Sequence, residues 1–506
     1  MRRSCSAGLA FITSVFLLGD ASAQPQDNRA AAIARAAPKI DRIFSDFAAH
    51  DHIPGLVYGI VADGRLAYVK SIGVQDLDTH RPVTPDTLFR IASMTKAFTS
   101  LLLLNLRDQG KVSLEAPAAS YVPEMKDWRY PTTDSPPIRV GDLLSHTPGF
   151  ATDNPWGDRQ TPISEGEFTR MLKAGMALDR APGTAMRYSN LGYALIGRII
   201  ANRSGHSYVE EARRVLLGPL GMKDSGFAPS GGPRRAIGYR WENGAFAREP
   251  DLGEGAFSPM GGLQTSANDY ARWMGFLLAA WPPRDGADTG PVKRATVREL
   301  ARPGGFPLGV MRPGDARANP CRQSRTYAKG FYTVADCDLG LALTHNGGYP
   351  GYGSTVLLLP DAGVGIFAFA SRTYAGPAPS VWNAALALKG AGALSPHTLA
   401  VSAALARAYG AAGEAWAKAD IAPFTPIAAM NFFMDRSPAN WKLELSRLKA
   451  QAGNCNTKSP IIAMGLAEGD FSWRCTKASV TGSLLLAPTM GGQVQSIIYD
   501  IKKDGP

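Results

Sequence analysis

A serine and a lysine three positions apart are the first residues of this chain whose types and spacing could do chemistry. Ser93-Met94-Thr95-Lys96 stands at the entry to an apolar run that has the pattern of a helix. Positions i and i+3 share one face of a helix, so the Lys96 amine can lie beside the Ser93 hydroxyl. A serine becomes a nucleophile when a base takes its proton, and a desolvated lysine has the lowered pKa that such a base needs. The helix N-terminus also offers a backbone N–H to an oxyanion.

The ordinary interpretation of Ser-x-x-Lys is an N-cap serine followed by a surface lysine. The surrounding sequence favours chemistry instead, because Lys96 is the only charged residue between Arg90 and Arg107. A lone lysine in an apolar helix indicates a buried amine with a function.

A second motif, Tyr188-Ser189-Asn190, precedes another helix-like run. A nearby lysine ammonium is expected to lower the pKa of Tyr188, so that the phenol can shuttle a proton. Asn190 could hold Lys96 and donate to a substrate carbonyl. Without Ser93, a core aromatic residue before a helix would be the favoured interpretation.

A third motif, His345-Asn346-Gly347-Gly348, ends a predicted strand and precedes a glycine-rich turn. Glycine at this place would let a substrate backbone approach the strand closely. The alternative is a plain turn with a solvated histidine, and the motif alone does not separate the two.

In order and spacing, these motifs resemble the serine β-lactamase and penicillin-binding-protein superfamily on its class C side. That branch includes carboxylesterases, D-aminopeptidases and D,D-carboxypeptidases. The resemblance runs from about residue 53 to about residue 371. The segments that carry it are His52–Leu56, Thr84–Lys96, Leu143–Gly149, Tyr188–Gly192, Pro219–Met222, Gly261–Leu263 and His345–Ser354.

The resemblance implies a role for each motif position. Ser93 matches the serine that is acylated, and Lys96 matches its lysine partner. Tyr188 matches the tyrosine that works in acylation and deacylation, and Asn190 matches the third residue of the Tyr-x-Asn motif. The implied reaction is a two-step acyl transfer that needs no cofactor.

The third motif is where the chain departs from true β-lactamases. His345 and Gly347 match the outer positions of a motif that is Lys-Thr-Gly in class C β-lactamases and His-x-Gly in the D-aminopeptidase-like branch. The backbone N–H groups of Ser93 and Gly348 would form the oxyanion hole. A lysine would supply a fixed charge for a substrate carboxylate, whereas a histidine is mostly neutral. The histidine therefore favours an esterase, amidase or aminopeptidase over an efficient β-lactamase.

Three other histidines could suggest chemistry. His146 lies in a segment that the family retains without a catalytic role, so we interpret it as structural. His50 and His52 lack an acidic cluster at ligand spacing, and we place them on the surface. The sequence therefore predicts no metal site.

The elements that must position these motifs lie far apart in the chain. Strand-like runs within 56–72 and 341–370 enclose a largely helical stretch, which predicts an α/β (α+β) fold with one antiparallel sheet, flanking helices and a helical insertion. We assign the hydrolase domain of the β-lactamase/transpeptidase-like type to 39–390, after a loose lead-in over 24–37. Residues 395–506 form a predicted small α+β domain with no nucleophile–base pair, which we interpret as accessory or stabilising.

Residues 1–23 have the pattern of a secretory signal peptide. Arg2 and Arg3 precede an apolar run, and Ala21-Ser22-Ala23 is a small-residue cleavage pattern. The alternative is a membrane anchor, but the run is short for a bilayer span. The prediction is a periplasmic or secreted protein.

Four cysteines remain after the predicted cleavage: Cys321, Cys337, Cys455 and Cys475. An oxidising compartment would let them form disulfides. Four cysteines allow three connectivities, and proximity favours Cys321 with Cys337 and Cys455 with Cys475.

The formal charge is +11 at pH 7. A basic exported protein can associate with anionic cell wall or lipid headgroups, or the charge can serve solubility alone. No Lys/Arg run resembles a nucleic-acid-binding tract, and no oligomeric state is specified. The predicted function is hydrolysis of a small ester, amide or D-amino-acid peptide. The alternatives are a β-lactamase or D,D-carboxypeptidase, and a non-catalytic penicillin-binding or sensor protein.

Overall fold

The computed structural model describes residues 23–227, 234–314, 320–397 and 399–502. These residues divide into two compact units, with the boundary between Ser395 and Pro396. Apart from Ala23, the predicted signal segment 1–23 lies outside the described residues. Within the described ranges, no helix is long and apolar enough to cross a bilayer.

The first unit is organised around one large antiparallel sheet, in the order β2-β1-β12-β11-β10-β9-β8-β7. Two small pairs, β3 with β6 and β4 with β5, stand apart from it. The hairpin of β1 and β2 therefore pairs, through β1, with β12, the last strand of the unit. This pairing confirms the predicted sheet built from distant segments. The strands are β1 (Gly55–Ala62), β2 (Arg65–Gly73), β3 (Phe89–Arg90), β4 (Tyr239–Glu242), β5 (Ala245–Arg248), β6 (Gln264–Thr265), β7 (Leu308–Met311), β8 (Arg322–Tyr327), β9 (Tyr332–Asp336), β10 (Gly340–Tyr349), β11 (Tyr352–Leu359) and β12 (Val364–Ala370).

Helices flank this sheet, and most of them lie in the insertion between β2 and β7. The helices of the unit are α1 (Ala23–His50), α2 (Thr95–Asp108), α3 (Val140–Ser145), α4 (Glu165–Ala174), α5 (Asn190–Ser204), α6 (Tyr208–Ala212), α7 (Ser258–Gly261), α8 (Ala267–Leu278), α9 (Arg294–Arg298) and α10 (Ala378–Gly390). The mixed α/β fold class predicted from the sequence is confirmed.

Alternating side chains of the central strands build two separate cores. Leu56, Tyr58 and Ile60 of β1 pack in one core with α1 and α10, whereas Val57 and Val61 belong to the other core, which contains α2, α5 and α8. Successive strand residues point to opposite faces of a sheet, so a fully buried strand needs an apolar side chain at nearly every position. The sheet is therefore the middle of three layers.

The loose lead-in predicted for residues 24–37 is wrong, because α1 runs through it without a break. The segment is rich in alanine and shows little hydrophobic pattern, but one face of the helix is packed, and Ala32, Ile33 and Ala36 on it are buried. The prediction also omitted β7, β8 and β9, which extend the large sheet at one edge. Polar residues dominate β8, so this strand carries little hydrophobic signal.

The second unit contains a four-stranded antiparallel sheet in the order β13-β14-β15-β16, packed with helices around its own aromatic core. The predicted helices and three of the strands are present, and β14 was missed. Its elements are α11 (Ala403–Lys418), α12 (Phe432–Asp435), α13 (Pro438–Ala452), β13 (Ile462–Ala463), β14 (Glu468–Arg474), β15 (Ser479–Leu486) and β16 (Val494–Lys502).

Two disulfides lie in the described residues, one in each unit. Cys321 is joined to Cys337, and Cys455 is joined to Cys475. These are the pairs that sequence proximity favours. The second bridge joins the segment that follows α13 to the turn between β14 and β15.

Candidate active site

Ser93 lies in a short 3-10 turn, Ala92–Met94, that leads directly into α2. Ala92 has φ of +49°, in the left-handed region that residues other than glycine rarely occupy. Such local strain persists only where the surroundings hold it, and here the Ser354 hydroxyl donates to the Ile91 carbonyl at 2.8 Å. The turn therefore presents Ser93, which is 6% exposed, in a fixed position at the start of the helix.

Gly347 on β10 lets this turn lie against the sheet. A Cβ at this position would overlap the Ile91 carbonyl oxygen and the Ser354 hydroxyl. The close approach is thus made by the turn that carries the nucleophile, not by the substrate that the sequence suggested. Gly348, the next residue, lines the open cleft beside Ser93.

Lys96 lies in the first turn of α2 and its side chain is fully buried. Its Nζ is 3.1 Å from Ser93 Oγ, 2.8 Å from Asn190 Oδ1 and 2.7 Å from the Met260 carbonyl oxygen. Amide and carbonyl oxygens only accept hydrogen bonds, so they engage two N–H groups of the amine. In the neutral amine, the remaining lone pair faces the Ser93 hydroxyl.

Burial lowers the pKa of Lys96 to about 7, although the carboxylates of Asp158 and Asp153 act in the opposite direction. A fully buried ammonium loses its hydration, and this cost exceeds the attraction of the two acids. The amine is therefore substantially neutral near pH 7, which is the state that can accept a proton from Ser93.

Tyr188 lies at the edge of the same cleft, with its ring 4.9 Å from Lys96 Nζ. Desolvation raises its pKa well above the usual range, and the interaction with Ser93 opposes this only in part. The expected lowering of the Tyr188 pKa is therefore wrong, because Lys96 faces the ring and burial dominates. Tyr188 is a neutral phenol, able to donate and relay a proton, and Lys96 is the group with the lowered pKa.

Asn190 is the first residue of α5 and is fully buried. While its Oδ1 accepts from Lys96, its Nδ2 donates to Asp158 Oδ1 at 3.2 Å. Asp153 holds the start of α5, since its carboxylate accepts from the backbone N–H groups of Asn190 and Leu191 at 2.7 and 2.8 Å. A carboxylate at a helix N-terminus satisfies N–H groups that have no partner within the helix.

Sequence reasoning missed Asp153 and Asp158, because neither belongs to a recognisable motif; Asp158 lies in a short 3-10 turn, Gly157–Gln160, and Asp153 in the loop before it. Asp158 is buried, and burial raises its pKa to about 6. Its other oxygen accepts from the Tyr374 hydroxyl at 3.0 Å. The loop thus brings two acids close enough to influence the charge of Lys96.

His345 is buried beside the cleft and both of its ring nitrogens are engaged. Nδ1 donates to the Asn346 carbonyl at 2.7 Å, so Nε2 accepts from the Tyr327 hydroxyl at 3.2 Å. Burial lowers the His345 pKa to about 3, assisted by the charges of Lys96 and Arg325. This position of the third motif therefore supplies no positive charge.

His146 contacts the segment that carries Tyr188 and Asn190. Its Nδ1 accepts from the Ser189 backbone N–H at 3.1 Å, and its ring lies 4.3 Å from that of Tyr188. Burial holds its pKa well below the usual value, so the ring is neutral. These contacts position the Tyr188–Asn190 segment. In contrast, His50 and His52 are not part of the cleft.

These groups meet at an open cleft of about 610 Å³. Ser93 and Tyr188 lie in it together with residues from a loop, from β8 to β10, and from the segment after β12. The lining residues are Ser93, Asn154, Pro155, Asp158, Tyr188, Arg325, Tyr332, His345, Asn346, Gly348 and Tyr374. The arrangement combines a nucleophile, a neutral amine base, a phenol donor and space for a small acyl substrate.

Comparison with known proteins identifies the family of this chain. The family described as Beta-lactamase matches residues 40–391, which is more than half of the chain. The chain belongs to the β-lactamase family, within the serine β-lactamase and penicillin-binding-protein superfamily.

Two curated relatives and one solved structure show how far the similarity extends. Protein flp of Staphylococcus aureus (strain MW2) is 29% identical over 341 residues, which cover 66% of this chain and 62% of flp. The D-alanyl-D-alanine-carboxypeptidase/endopeptidase AmpH of Escherichia coli (strain K12) is 32% identical over 225 residues, covering 44% of this chain and 57% of AmpH. A class C β-lactamase structure is 20% identical with a TM-score of 0.55, covering 70% of this chain and 96% of the other.

Proposed function

We propose that this protein is an exported serine hydrolase that cleaves a small ester, amide or D-amino-acid peptide through an acyl-enzyme on Ser93. One observation carries the proposal. The two acceptors on Lys96, Asn190 Oδ1 and the Met260 carbonyl, leave the neutral amine's lone pair directed at the Ser93 hydroxyl 3.1 Å away. A serine paired with a buried neutral amine is an activated nucleophile.

In acylation, Ser93 Oγ attacks the substrate carbonyl carbon while Lys96 Nζ takes its proton. The resulting oxyanion accepts hydrogen bonds from the backbone N–H groups of Ser93 and Gly348. The phenol of Tyr188 gives its proton to the departing oxygen or nitrogen and recovers one from Lys96. The bond from the carbonyl carbon to the leaving group then breaks, and Ser93 carries the acyl group.

In deacylation, a water molecule attacks the acyl carbonyl and gives its proton to the Tyr188 and Lys96 pair. The bond to Ser93 Oγ breaks, and the serine regains a proton from the same pair. Every proton is moved by groups of this chain, so the cycle has no step that calls for a cofactor. His345 remains neutral throughout and supports the cleft wall through Tyr327.

Sustained turnover tests this proposal. The purified full chain is assayed with p-nitrophenyl acetate, a D-alanine p-nitroanilide and nitrocefin, with Ser93→Ala as the matched control. Multiple turnovers of at least one substrate, absent in Ser93→Ala, support a hydrolase. A single stoichiometric burst with every substrate would instead favour a penicillin-binding or sensor protein that is acylated without turnover.

A D,D-carboxypeptidase or β-lactamase is the second candidate, and a cation in the cleft favours it. The Arg325 side chain lines the cleft that contains Ser93. Peptide C-termini and β-lactams both carry a carboxylate, which an arginine can bind in two parallel hydrogen bonds. Release of D-alanine from a peptide ending in D-alanyl-D-alanine distinguishes this candidate from a simple esterase.

Export is part of the proposal, and the disulfides in the two units support it, because such bonds persist in oxidising compartments. The net charge of +11 suits transient association with anionic cell wall or lipid surfaces. N-terminal sequencing of protein recovered from the periplasm or medium checks both points. We expect a mature chain that starts near Gln24, and recovery of an intact chain from the cytoplasm would contradict export.

A further inference from the structure

Tyr374, in the segment that follows β12, holds a backbone conformation that tyrosine rarely adopts. Its φ is +54°, in the left-handed region. Neighbouring backbone keeps it there, because the Tyr374 N–H donates to the Tyr352 carbonyl at 3.2 Å and the Tyr374 carbonyl accepts from the Gly376 N–H at 2.9 Å. Strain of this kind persists only where the surroundings fix it, and it clusters at active sites. The side chain that this conformation places lines the cleft of Ser93.

The ring of Tyr374 packs against Gly348 on β10, whose backbone N–H is one of the two proposed oxyanion donors. A Cβ at Gly348 would lie only 2.7 Å from Tyr374 Cδ1, so the ring occupies the space that any larger residue would need. The contact limits how far the Gly348 backbone can move towards the ring. Oxyanion donors are effective when they are held in place before the reaction begins.

The hydroxyl of Tyr374 is engaged both as a donor and as an acceptor. It donates to Asp158 Oδ2 at 3.0 Å and accepts from Arg159 Nη1 at 3.1 Å. Burial raises the pKa of Tyr374 to about 12, so the hydroxyl keeps the proton that it donates. Because a tyrosine hydroxyl has a single proton, this one acts through the Asp158 carboxylate and not as a donor to a substrate.

Hydrogen bonds lead from Asp158 to the nucleophile. Asp158 Oδ1 accepts from Asn190 Nδ2 at 3.2 Å, and Asn190 Oδ1 accepts from Lys96 Nζ at 2.8 Å. Lys96 Nζ is in turn 3.1 Å from Ser93 Oγ. Gly157 lets the turn that carries Asp158 lie this close, since a Cβ at Gly157 would be 2.6 Å from Asn190 Cβ. The Tyr374 hydroxyl is therefore joined to the far end of the hydrogen-bond chain that holds the base.

Asp158 is the group through which the hydroxyl can influence the base. Burial raises the pKa of Asp158 to about 6, and the charge of Lys96 and the hydrogen bond from Tyr374 oppose this rise. The ionised carboxylate in turn raises the pKa of Lys96. Loss of the Tyr374 hydroxyl would leave more of Asp158 protonated near neutral pH, and the pKa of Lys96 would fall.

Several other groups face Asp158 and Lys96 from the surrounding elements. Their charged neighbours include Asp153, which raises the pKa of both, and Arg159, which lowers that of Asp158. Burial keeps the titratable rings around them neutral, and these rings are His146, His345, Tyr188, Tyr193 and Tyr349. Substituting Tyr374 leaves all of these groups in place, so a change in the titration of Lys96 reports the lost hydroxyl.

We propose that Tyr374 is a positioning residue of the active site. Its ring holds the Gly348 backbone that receives the oxyanion, and its hydroxyl holds the Asp158 carboxylate at the far end of the hydrogen-bond chain that ends on Ser93. This inference rests on the proposed hydrolase function and adds a residue to the machinery of that site. Because the two effects come from different atoms of one side chain, different substitutions separate them.

Two variants are compared with a matched control. Tyr374→Phe keeps the ring and removes only the hydroxyl. Tyr374→Asn removes both, and asparagine tolerates a positive φ better than most residues, so the backbone should keep its conformation. Tyr121→Phe is the control, because the Tyr121 hydroxyl also has a partner, the Ser113 backbone N–H at 2.9 Å, and does not line the cleft.

Steady-state kinetics with an uncharged ester give the first readout. Tyr374→Phe should move the acid limb of kcat/KM to lower pH by about 0.5 pH unit, since an ion pair partner of Lys96 is weakened and not removed. In Asp158→Asn, adding Tyr374→Phe should move the limb no further, because both changes act through one carboxylate. Equal movement with and without Asp158 would overturn the role of the hydroxyl. Tyr121→Phe should leave the profile unchanged.

Tyr374→Asn tests the ring. It should lower kcat and kcat/KM together by about 10-fold with KM unchanged, the pattern of an interaction made only in the transition state. Its melting temperature should stay close to the natural value. A variant that loses stability but keeps its kcat per folded molecule would overturn the inference, because Tyr374 would then serve packing alone. If Tyr374→Asn does not fold, Tyr374→Phe still decides the role of the hydroxyl.

Lysine NMR separates this inference from the proposed function. The isotope-labelled Cε signal of Lys96, assigned by its absence in Lys96→Met, is titrated in Ser93→Ala, which cannot be acylated. Adding Tyr374→Phe should lower the midpoint by about 0.5 pH unit, and adding Tyr121→Phe should not. If the natural chain turns over no substrate, the hydrolase proposal fails while the midpoints still decide the role of Tyr374. Equal midpoints with and without the Tyr374 hydroxyl would overturn that role.

Discussion

The two units of this chain differ in what they bury. The first unit buries Ser93, Lys96, His146, Asn190 and His345 around one cleft, whereas among the described residues 399–502 no Ser, Thr, Asn, Gln, His or charged side chain is buried. The core of the second unit is apolar and aromatic, with Trp416 and Trp473 at its centre. A protein keeps buried polar groups at a cost in stability, so the difference separates a unit organised for chemistry from one organised for packing.

The largest effect should come from removing the nucleophile. Ser93→Ala should abolish turnover with every substrate, because among the described residues Ser93 supplies the only hydroxyl that is hydrogen-bonded to the Lys96 amine. The melting temperature should stay within a few degrees of the natural value, since a small hydroxyl is lost. Residual turnover at the natural rate would place the chemistry elsewhere.

Removing either proton-transfer group should have the next largest effect on activity. Lys96→Ala and Tyr188→Phe should each lower kcat/KM by about 10²- to 10⁴-fold, the range for a positioned acid or base. The double variant should be little worse than either single one, because groups that act as a unit are not additive. Steady-state kinetics on all three variants measures this, and strict additivity would contradict a shared relay.

A core substitution in the second unit should lower the stability of that unit without lowering turnover. Trp473→Ala should destabilise it by about 3–5 kcal/mol, because a fully buried aromatic side chain leaves a cavity. Turnover per folded molecule at 25 °C should not change. Leu443→Ala on α13 is the control, since Leu443 is 70% exposed and its loss should alter neither property. Calorimetry together with active-site titration checks both, and a drop in kcat would mean that the second unit takes part in the reaction.

A smaller effect, on the pH–rate profile, should show whether Lys96 or its neighbour Asp158 is the base. The charge of Asp158 raises the pKa of Lys96. Removing that charge in Asp158→Asn should lower this pKa and move the acid limb of the pH–rate profile to lower pH. The pH dependence of kcat/KM measures the shift. Complete loss of the limb in this variant would indicate that Asp158, whose own pKa is about 6, is the base.

Residues close together in the chain were the ones that the sequence could predict. Ser93 and Lys96 share one helical turn, and the hairpin of β1 and β2 is marked by Asp63-Gly64, so both could be derived from local patterns. In contrast, β14 was missed, although its alternation of polar residues with Phe471 and Trp473, which are buried in the structure, is a local strand pattern.

Other parts of the site depend on how distant segments meet. Asp158 and Arg325 carry no local pattern that marks a cleft, and the Met260 carbonyl is visible only as a backbone atom in three dimensions. The direction of the Tyr188 pKa was predicted wrongly for the same reason. The sequence shows which charge lies nearby, but burial, which here outweighs that charge, is a property of the folded chain.

The central claim is that Lys96 is the base for Ser93 in its neutral form, and the pH dependence of kcat/KM for an uncharged ester tests it most directly. Because the pKa of Lys96 is lowered to about 7, the rate should rise with pH and level off above a midpoint of about 7. The remaining activity of Lys96→Ala should lack this limb. A natural enzyme whose rate is constant from pH 5 to pH 9, or a Lys96→Ala variant with the same limb, would contradict the account.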